Sequence, residues 1–435
     1  MILYLKAILT GLVSGCVVVA YRSVLAHAEN LREALQRFPA WPNPLTGVCV
    51  FFAVLILLAL LVGFIVKKYP VIRGSGIQRV RIILLRKRTG AAAPEGLAAC
   101  LKEIILKFAG GAIAFACGLS LGRSGPSIHL GALGGLSAAS LGKHEKRRKK
   151  EEQYLLVAGG AAGLAATFNA PLAGALFALE ELHKGFSKIM LGCILASSLA
   201  AEFVADYFFG QTTVFHITLE GFLPLRYYPV LAPLGLAAGI VGNVFSRSVL
   251  GSMNLHDRLF PPSRAVLKPV PAFLAAGALV FVLPEILGSG NGLVSGSLAG
   301  RWGLAALCGL LAAKLFFTAL SYGSGAPGGI FFPLLVMGSV LGRLYGGGLV
   351  SFAGFESAYM ANFIVLGMAA LFTAVVRAPL TAVILVSEMT GSLSHLIPLI
   401  AVCAIAHATA QSLKTKPIYD EFLDRVVKKI AERHF

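Results

Sequence analysis

Charge is scarce in this chain. Only 13% of its 435 residues are Asp, Glu, Lys or Arg, while 57% are hydrophobic and the mean hydropathy is +0.80. A water-soluble fold of this length has no core large enough to hide so much apolar surface, so the composition excludes a soluble globular protein. Acidic residues are scarcer than basic ones, 20 against 38, for a net charge of +18. That excess does not point to nucleic acid, because the basic residues fall between apolar runs, at Lys67 to Arg88, Lys143 to Lys150 and Lys414 to Arg433. They read as cytoplasmic loops of a membrane protein.

Paired cysteines are also missing. Cys16, Cys49, Cys100, Cys117, Cys193, Cys308 and Cys403 stand singly, mostly within apolar runs. The spacing excludes a disulfide framework or a thiolate metal site and leaves small packing residues. Long uninterrupted apolar runs are few. Pro44 to Val66 holds no charge and is long enough to span about 30 Å of hydrocarbon. Most other runs are shorter and broken by Gly or Pro, as expected of helices that stop inside a membrane, where their free backbone ends must meet protein or a cavity. The apolar stretch after Lys6 imitates a signal peptide, but its amphipathic pattern continues through Arg37 with no cleavage site, so an opening helix from about Leu3 to Phe38 is expected.

What the chain does have is an internal repeat. Gly122, Pro126, Gly131 and Gly135 return as Gly329, Pro333, Gly338 and Gly342, and 333 − 126 = 342 − 135 = 207. Ala170-Pro171-Leu172 and Glu180 return as Ala378-Pro379-Leu380 and Glu388, with 379 − 171 = 388 − 180 = 208. The chain is therefore two copies of one unit, a first half over 1–209, a linker over 210–226 and a second half over 227–435. The basic run Lys143 to Lys150 has no basic counterpart at Val350 to Ser357. If basic loops stay inside, the two copies cross the membrane in opposite senses, with their broken helices meeting near the midplane. The fold class is an all-α integral membrane protein with an inverted-topology repeat.

Four pieces can converge on such a meeting point: the Gly74-Ser75-Gly76-Ile77 turn, a helix starting near Ser124, a helix starting near Ile330, and Tyr419 near the C-terminus. They offer hydroxyls and helix-start N–H groups but no full positive charge. That suits a monovalent anion that must both bind and leave.

At these residues the sequence resembles the CLC chloride channels and chloride/proton antiporters. The motifs are GSGI (Gly74 to Ile77), GRSGP (Gly122 to Pro126), FNAPLAGALFALEE (Phe168 to Glu181), GAPGGIFFP (Gly325 to Pro333), RAPLTAVILVSEMT (Arg377 to Thr390) and KPIY (Lys416 to Tyr419). The resemblance implies a CLC-type homodimer with a separate anion path in each subunit, chloride as the bound ion and no cofactor or metal. It assigns Ser75, Tyr419 and the amides of Ile330 and Phe331 to a central chloride, and Gly76, Ser124 and Gly125 complete the candidate anion-binding set. It further implies a bacterial inner-membrane protein with a cytoplasmic C-terminus, and the expected chain carries no regulatory domain after its terminal helix.

Two positions depart from the family. Ser124 stands where the family's gating glutamate is usual. A serine hydroxyl does not titrate at physiological pH and is too short to reach an anion site as a carboxylate does. Passive chloride conduction without proton coupling is expected, with Ser124 otherwise an ordinary helix N-cap. Gln78 replaces the usual proline after GSGI. Glu181 matches the family's inner proton-transfer glutamate, and His129, the only titratable side chain in the central motif, is the candidate for a rerouted proton path. An intramembrane hydrolase using Ser124 and His129 fails on Pro126, because a nucleophile elbow needs glycine there, so no enzyme is expected.

Overall fold

A computed structural model describes residues 1–36, 44–89, 96–139, 145–215, 217–219, 221–393 and 395–431. Within these the chain is helical, with no strand and a single isolated bridge. The first half runs through α1 (Ile2–Gln36), α2 (Pro44–Lys68), α3 (Ile77–Thr89), α4 (Leu97–Ala116), α5 (Ser124–Ala139), α6 (Glu145–Phe168), α7 (Pro171–Phe177) and α8 (Lys188–Phe209). The second runs through α9 (Leu231–Leu259), α10 (Val270–Val282), α11 (Asn291–Leu298), α12 (Leu304–Gly323), α13 (Phe331–Ala353), α14 (Met360–Val376), α15 (Pro379–Thr390), α16 (Leu396–Ser412) and the terminal α17 (Ile418–Ala431). Among the described residues eight helical segments are long and apolar enough to cross a membrane. The protein is a multi-pass integral membrane protein.

The short helices are the informative ones, because α3, α7, α11 and α15 cannot span a bilayer by themselves. Proline forces two of the breaks. Pro171 and Pro379 occupy the first helical positions of α7 and α15, where the missing N–H costs nothing. The residues two before them, Asn169 and Arg377, turn the chain through left-handed backbone (φ 51° and 67°), so the joint is built alike in both halves.

The repeat glycines explain the core. A Cβ on Gly131 or Gly135 would run into the carbonyls of Gly159 and Leu155 on α6, and one on Gly338 or Gly342 into Gly367 and Phe363 on α14. These glycines let α5 lie against α6, and α13 against α14, at backbone distance. Small-residue contacts of this kind hold helices together where lipid removes the hydrophobic drive. α5 and the lower part of α13 are consequently buried almost throughout.

One expectation changes here. The basic run read as a loop is mostly helix: α6 begins at Glu145, and only Lys143 and His144 of that run lie outside the described residues. Glu, Lys and Arg are good helix formers, so the charge marks where a helix leaves the hydrocarbon, not where it ends. Likewise Arg37, Phe38 and Arg433 lie outside the described residues.

Candidate functional site

The two copies meet at the starts of α5 and α13. Gly122 N–H donates to Gly329 O at 2.6 Å and Gly329 N–H to Gly122 O at 2.8 Å, an antiparallel bridge between residues that are repeat mates. Equivalent residues can bond reciprocally only where a local two-fold axis passes between them. The helix starts at Ser124 and Phe331 therefore face one another across it, and the halves run in opposite directions there. The amides of Ser124, Gly125, Ile330 and Phe331 make no hydrogen bond outside their own helices among the described residues. First-turn N–H groups have no partner within a helix either, so these donors are free for an anion.

The Ser75 turn closes on the same junction. Gly74 and Gly76 take positive φ (59° and 86°), and a Cβ on Gly125 would lie 2.6 Å from Ser75 Cβ, so the glycine at 125 lets the turn touch the start of α5. Lys107 of α4, fully buried, holds the turn by donating to the carbonyls of Ile72 (2.7 Å) and Gly74 (2.6 Å). Ser75 is fully buried, and its hydroxyl donates to Gln78 Oε1 at 2.8 Å. Gln78 Nε2 in turn lies 3.5 Å from the Tyr322 hydroxyl. Gln78, one of the two departures from the family, thus takes the proton of the Ser75 hydroxyl.

Tyr419 reaches the junction through rings. Its ring meets Phe177 edge-on at 6.4 Å, Phe177 meets Phe331 at 5.8 Å, and Phe422 of the same helix stacks on Tyr322 at 4.8 Å. The Tyr419 hydroxyl is buried and has no hydrogen-bond partner among the described residues. The Ser124 hydroxyl is in the same condition, so Ser124 is not the capping residue its position implied. Two buried hydroxyls with no partner among the described residues are costly unless a bound ion uses them.

Glu181 and His129 stand apart from these donors. Glu181 sits on a π-helical turn, Ala178–His183, and pairs with buried Arg81 at 2.9 Å. Arg81 also binds Asp420 at 2.7 Å, and Lys184 binds Asp420 at 2.7 Å, so one charged cluster ties α3, the π-helical turn and α17 together. His129 Nε2 lies 2.9 Å from Glu103, which Arg79 also engages at 3.3 Å, while its ring packs on Gly76. It therefore sits behind the Ser75 turn, held by charge partners. Those partners, Lys107, and Glu180 and Glu388 as caps of partner-half helices were not read from the sequence. The signal was there: Lys107 and Lys314 are buried cations 207 residues apart.

A model of the family described as voltage gated chloride channel matches residues 58–411. The chain belongs to that family. It is 31% identical over 440 residues to the H(+)/Cl(−) exchange transporter ClcA of Citrobacter koseri, covering 98% of this chain and 89% of that one. It is 32% identical over 443 residues, with the same coverage, to ClcA of Salmonella agona. Among solved structures it resembles a slow cyanobacterial Cl−/H+ antiporter with a TM-score of 0.86 at 27% identity over 98% of both chains. A CLC-type fluoride/proton antiporter shares the fold with a TM-score of 0.77 at 22% identity over 94% of this chain and 95% of that one.

Proposed function

We propose that this CLC protein conducts chloride passively, uncoupled from protons, through the junction of α5, α13, the Ser75 turn and Tyr419. The observation that carries the reading is Ser124: a fully buried hydroxyl without a partner at the start of α5, where the family places a carboxylate. Such a group can donate to an anion but cannot carry a proton at neutral pH. The free amides at Gly125, Ile330 and Phe331 and the unpartnered Tyr419 hydroxyl support the same reading, as neutral donors hold an anion without trapping it. Glu181 supports it too, because its carboxylate is tied to Arg81 in a cluster that anchors α17.

The working unit is a homodimer in a bacterial inner membrane with α17 on the cytoplasmic side. The ClcA relatives bear the name of proton-coupled exchangers, which favours the alternative: exchange with protons rerouted through His129 or water to Glu181.

Chloride efflux from liposomes holding the purified protein, with valinomycin clamping the voltage and external pH followed in the same cuvette, separates the two. Efflux with no pH change is expected. Proton uptake against its own gradient would overturn the passive reading, and its loss in His129→Ala would place the route through that ring.

A further inference from the structure

The Ser75 turn has a counterpart. Gly74-Ser75-Gly76 returns as Gly288-Ser289-Gly290, and 288 − 74 = 214. The likeness is physical: Gly288 and Gly290 take positive φ (56° and 86°), as Gly74 and Gly76 do, and each turn leads directly into a short helix, α11 in place of α3. Lys314 of α12 holds the second turn by donating to the carbonyls of Ile286 (2.8 Å) and Gly288 (2.9 Å), as Lys107 holds the first.

Beside this second turn lies a cavity lined by Ser289, Arg123, Phe115 and Phe332, with about 50 Å³ open to a water-sized particle. Each of these four is the repeat mate of a residue around the Ser75 turn: Ser289 of Ser75, Arg123 of Ile330, Phe115 of Tyr322 and Phe332 of Gly125. The internal two-fold thus carries the surroundings of the Ser75 turn onto this cavity with the serine kept and three changes of chemistry: a guanidinium at Arg123 where Ile330 offers only an amide, a phenyl ring at Phe115 where Tyr322 carries a hydroxyl, and a ring at Phe332 where Gly125 has no side chain.

We propose that this cavity is a second anion-binding site, taking one chloride or a similar small monovalent anion between the Ser289 hydroxyl and Arg123. Ser289 is more than nine-tenths buried, and its hydroxyl has no hydrogen-bond partner. Arg123 makes no hydrogen bond through its side chain and no ion pair among the described residues. Arg32, beside Gly288, likewise leaves its buried Nε without a partner. Among the described residues Glu29 is the one carboxylate lining the cavity, and it pairs with Arg32 at 3.4 Å. Among the described residues, Arg123 in the lining and Arg32 beside it stand against that one carboxylate, a positive balance. The volume exceeds the ~10–15 Å³ that one water requires, enough for a small monovalent anion.

This rests on the reading of the Ser75 turn as an anion site, since the symmetry transfers chemistry from there. Crystals of the full chain grown in bromide, read by anomalous scattering, separate the two. Density is expected at both turns in the wild type. In Ser289→Ala it should weaken at Ser289 alone, direct bromide titration showing about tenfold weaker binding for the loss of one charge-assisted donor. Ser75→Ala should spare the Ser289 density, and Glu29→Gln should strengthen it. Density at Ser75 only overturns the second site and leaves the first standing; density at neither overturns both. Because Ser289→Ala removes a single unpartnered oxygen, folding is expected to be kept, and an unchanged melting curve in the same preparation checks it.

Discussion

At the scale of single residues, the Ser75 hydroxyl has two claimants. It donates to Gln78 Oε1, and under the proposed function a chloride would accept from the same O–H. A net hydrogen bond to an uncharged acceptor contributes about 1 kcal/mol, so releasing Ser75 should tighten chloride binding about fivefold. Gln78→Ala is therefore expected to lower the chloride dissociation constant measured by titration calorimetry. A weaker Kd would mean that the Gln78 amide itself serves the anion, and an unchanged one that Ser75 is not a ligand. The Ser75 turn and its convergence on the start of α5 were legible in the sequence through GSGI. The competitor for the Ser75 hydroxyl was not, because a glutamine in a proline position says only that the helix start has regained an N–H, and where its amide turns depends on Tyr322, 244 residues away.

At the scale of elements, the ends of short helices are held by carboxylates from the opposite half. Glu388 accepts from the amides of Leu172 and Ala173 at the start of α7, and Glu180 from those of Leu380 and Thr381 at the start of α15. Negative charge at a helix N-terminus is stabilising, and the exchange locks α7 and α15 together. Residue spacing showed that the two glutamates correspond, but pairing across the axis appears only when the helices are placed. The terminal helix is anchored differently, through Asp420. Burial alone would raise its carboxyl, but hydrogen bonds from Lys184 and Arg81 outweigh that and hold it below its ordinary value. A depressed folded value means the anchor is fully present above the unfolded value and is lost as pH falls through the folded one, so α17 should stay docked at neutral pH and loosen only below about pH 4. Hydrogen exchange of α17, corrected for intrinsic rates, should rise in that range. Asp420→Asn should produce the same loosening at pH 7 and weaken chloride binding through the neighbouring Tyr419. If the helix stays protected in that variant, the aromatic contacts of Tyr419 and Phe422 are sufficient to hold it.

At the scale of the molecule, the repeat was legible where its spacing is constant and lost where it shifts. Positions from Lys107 to Pro126 map onto Lys314 to Pro333 at 207, but the preceding turns map at 214, because the first half has seven more residues between turn and lysine. α11 is 8 residues where α3 is 13, and a search at one spacing passes over Ser289. The physics of the two turns is nonetheless the same, with one difference that can be measured. Lys107 donates to Ile72 O and Gly74 O, and Gly74 O also accepts from Gly328 N–H at 3.0 Å, so removing the amine orphans only one carbonyl. Lys314 is the sole donor recorded among the described residues to both Ile286 O and Gly288 O, so its removal orphans two. Each buried carbonyl left without a donor costs about 1–3 kcal/mol. Lys314→Met should therefore lower the melting temperature in detergent about twice as far as Lys107→Met, although methionine fills both sites equally. Distant sites that share no partner add, so the double variant should show the sum if both halves unfold as one body. A double variant no worse than Lys314→Met alone would mean that the second half unfolds first and takes the reciprocal Gly122–Gly329 bridge with it.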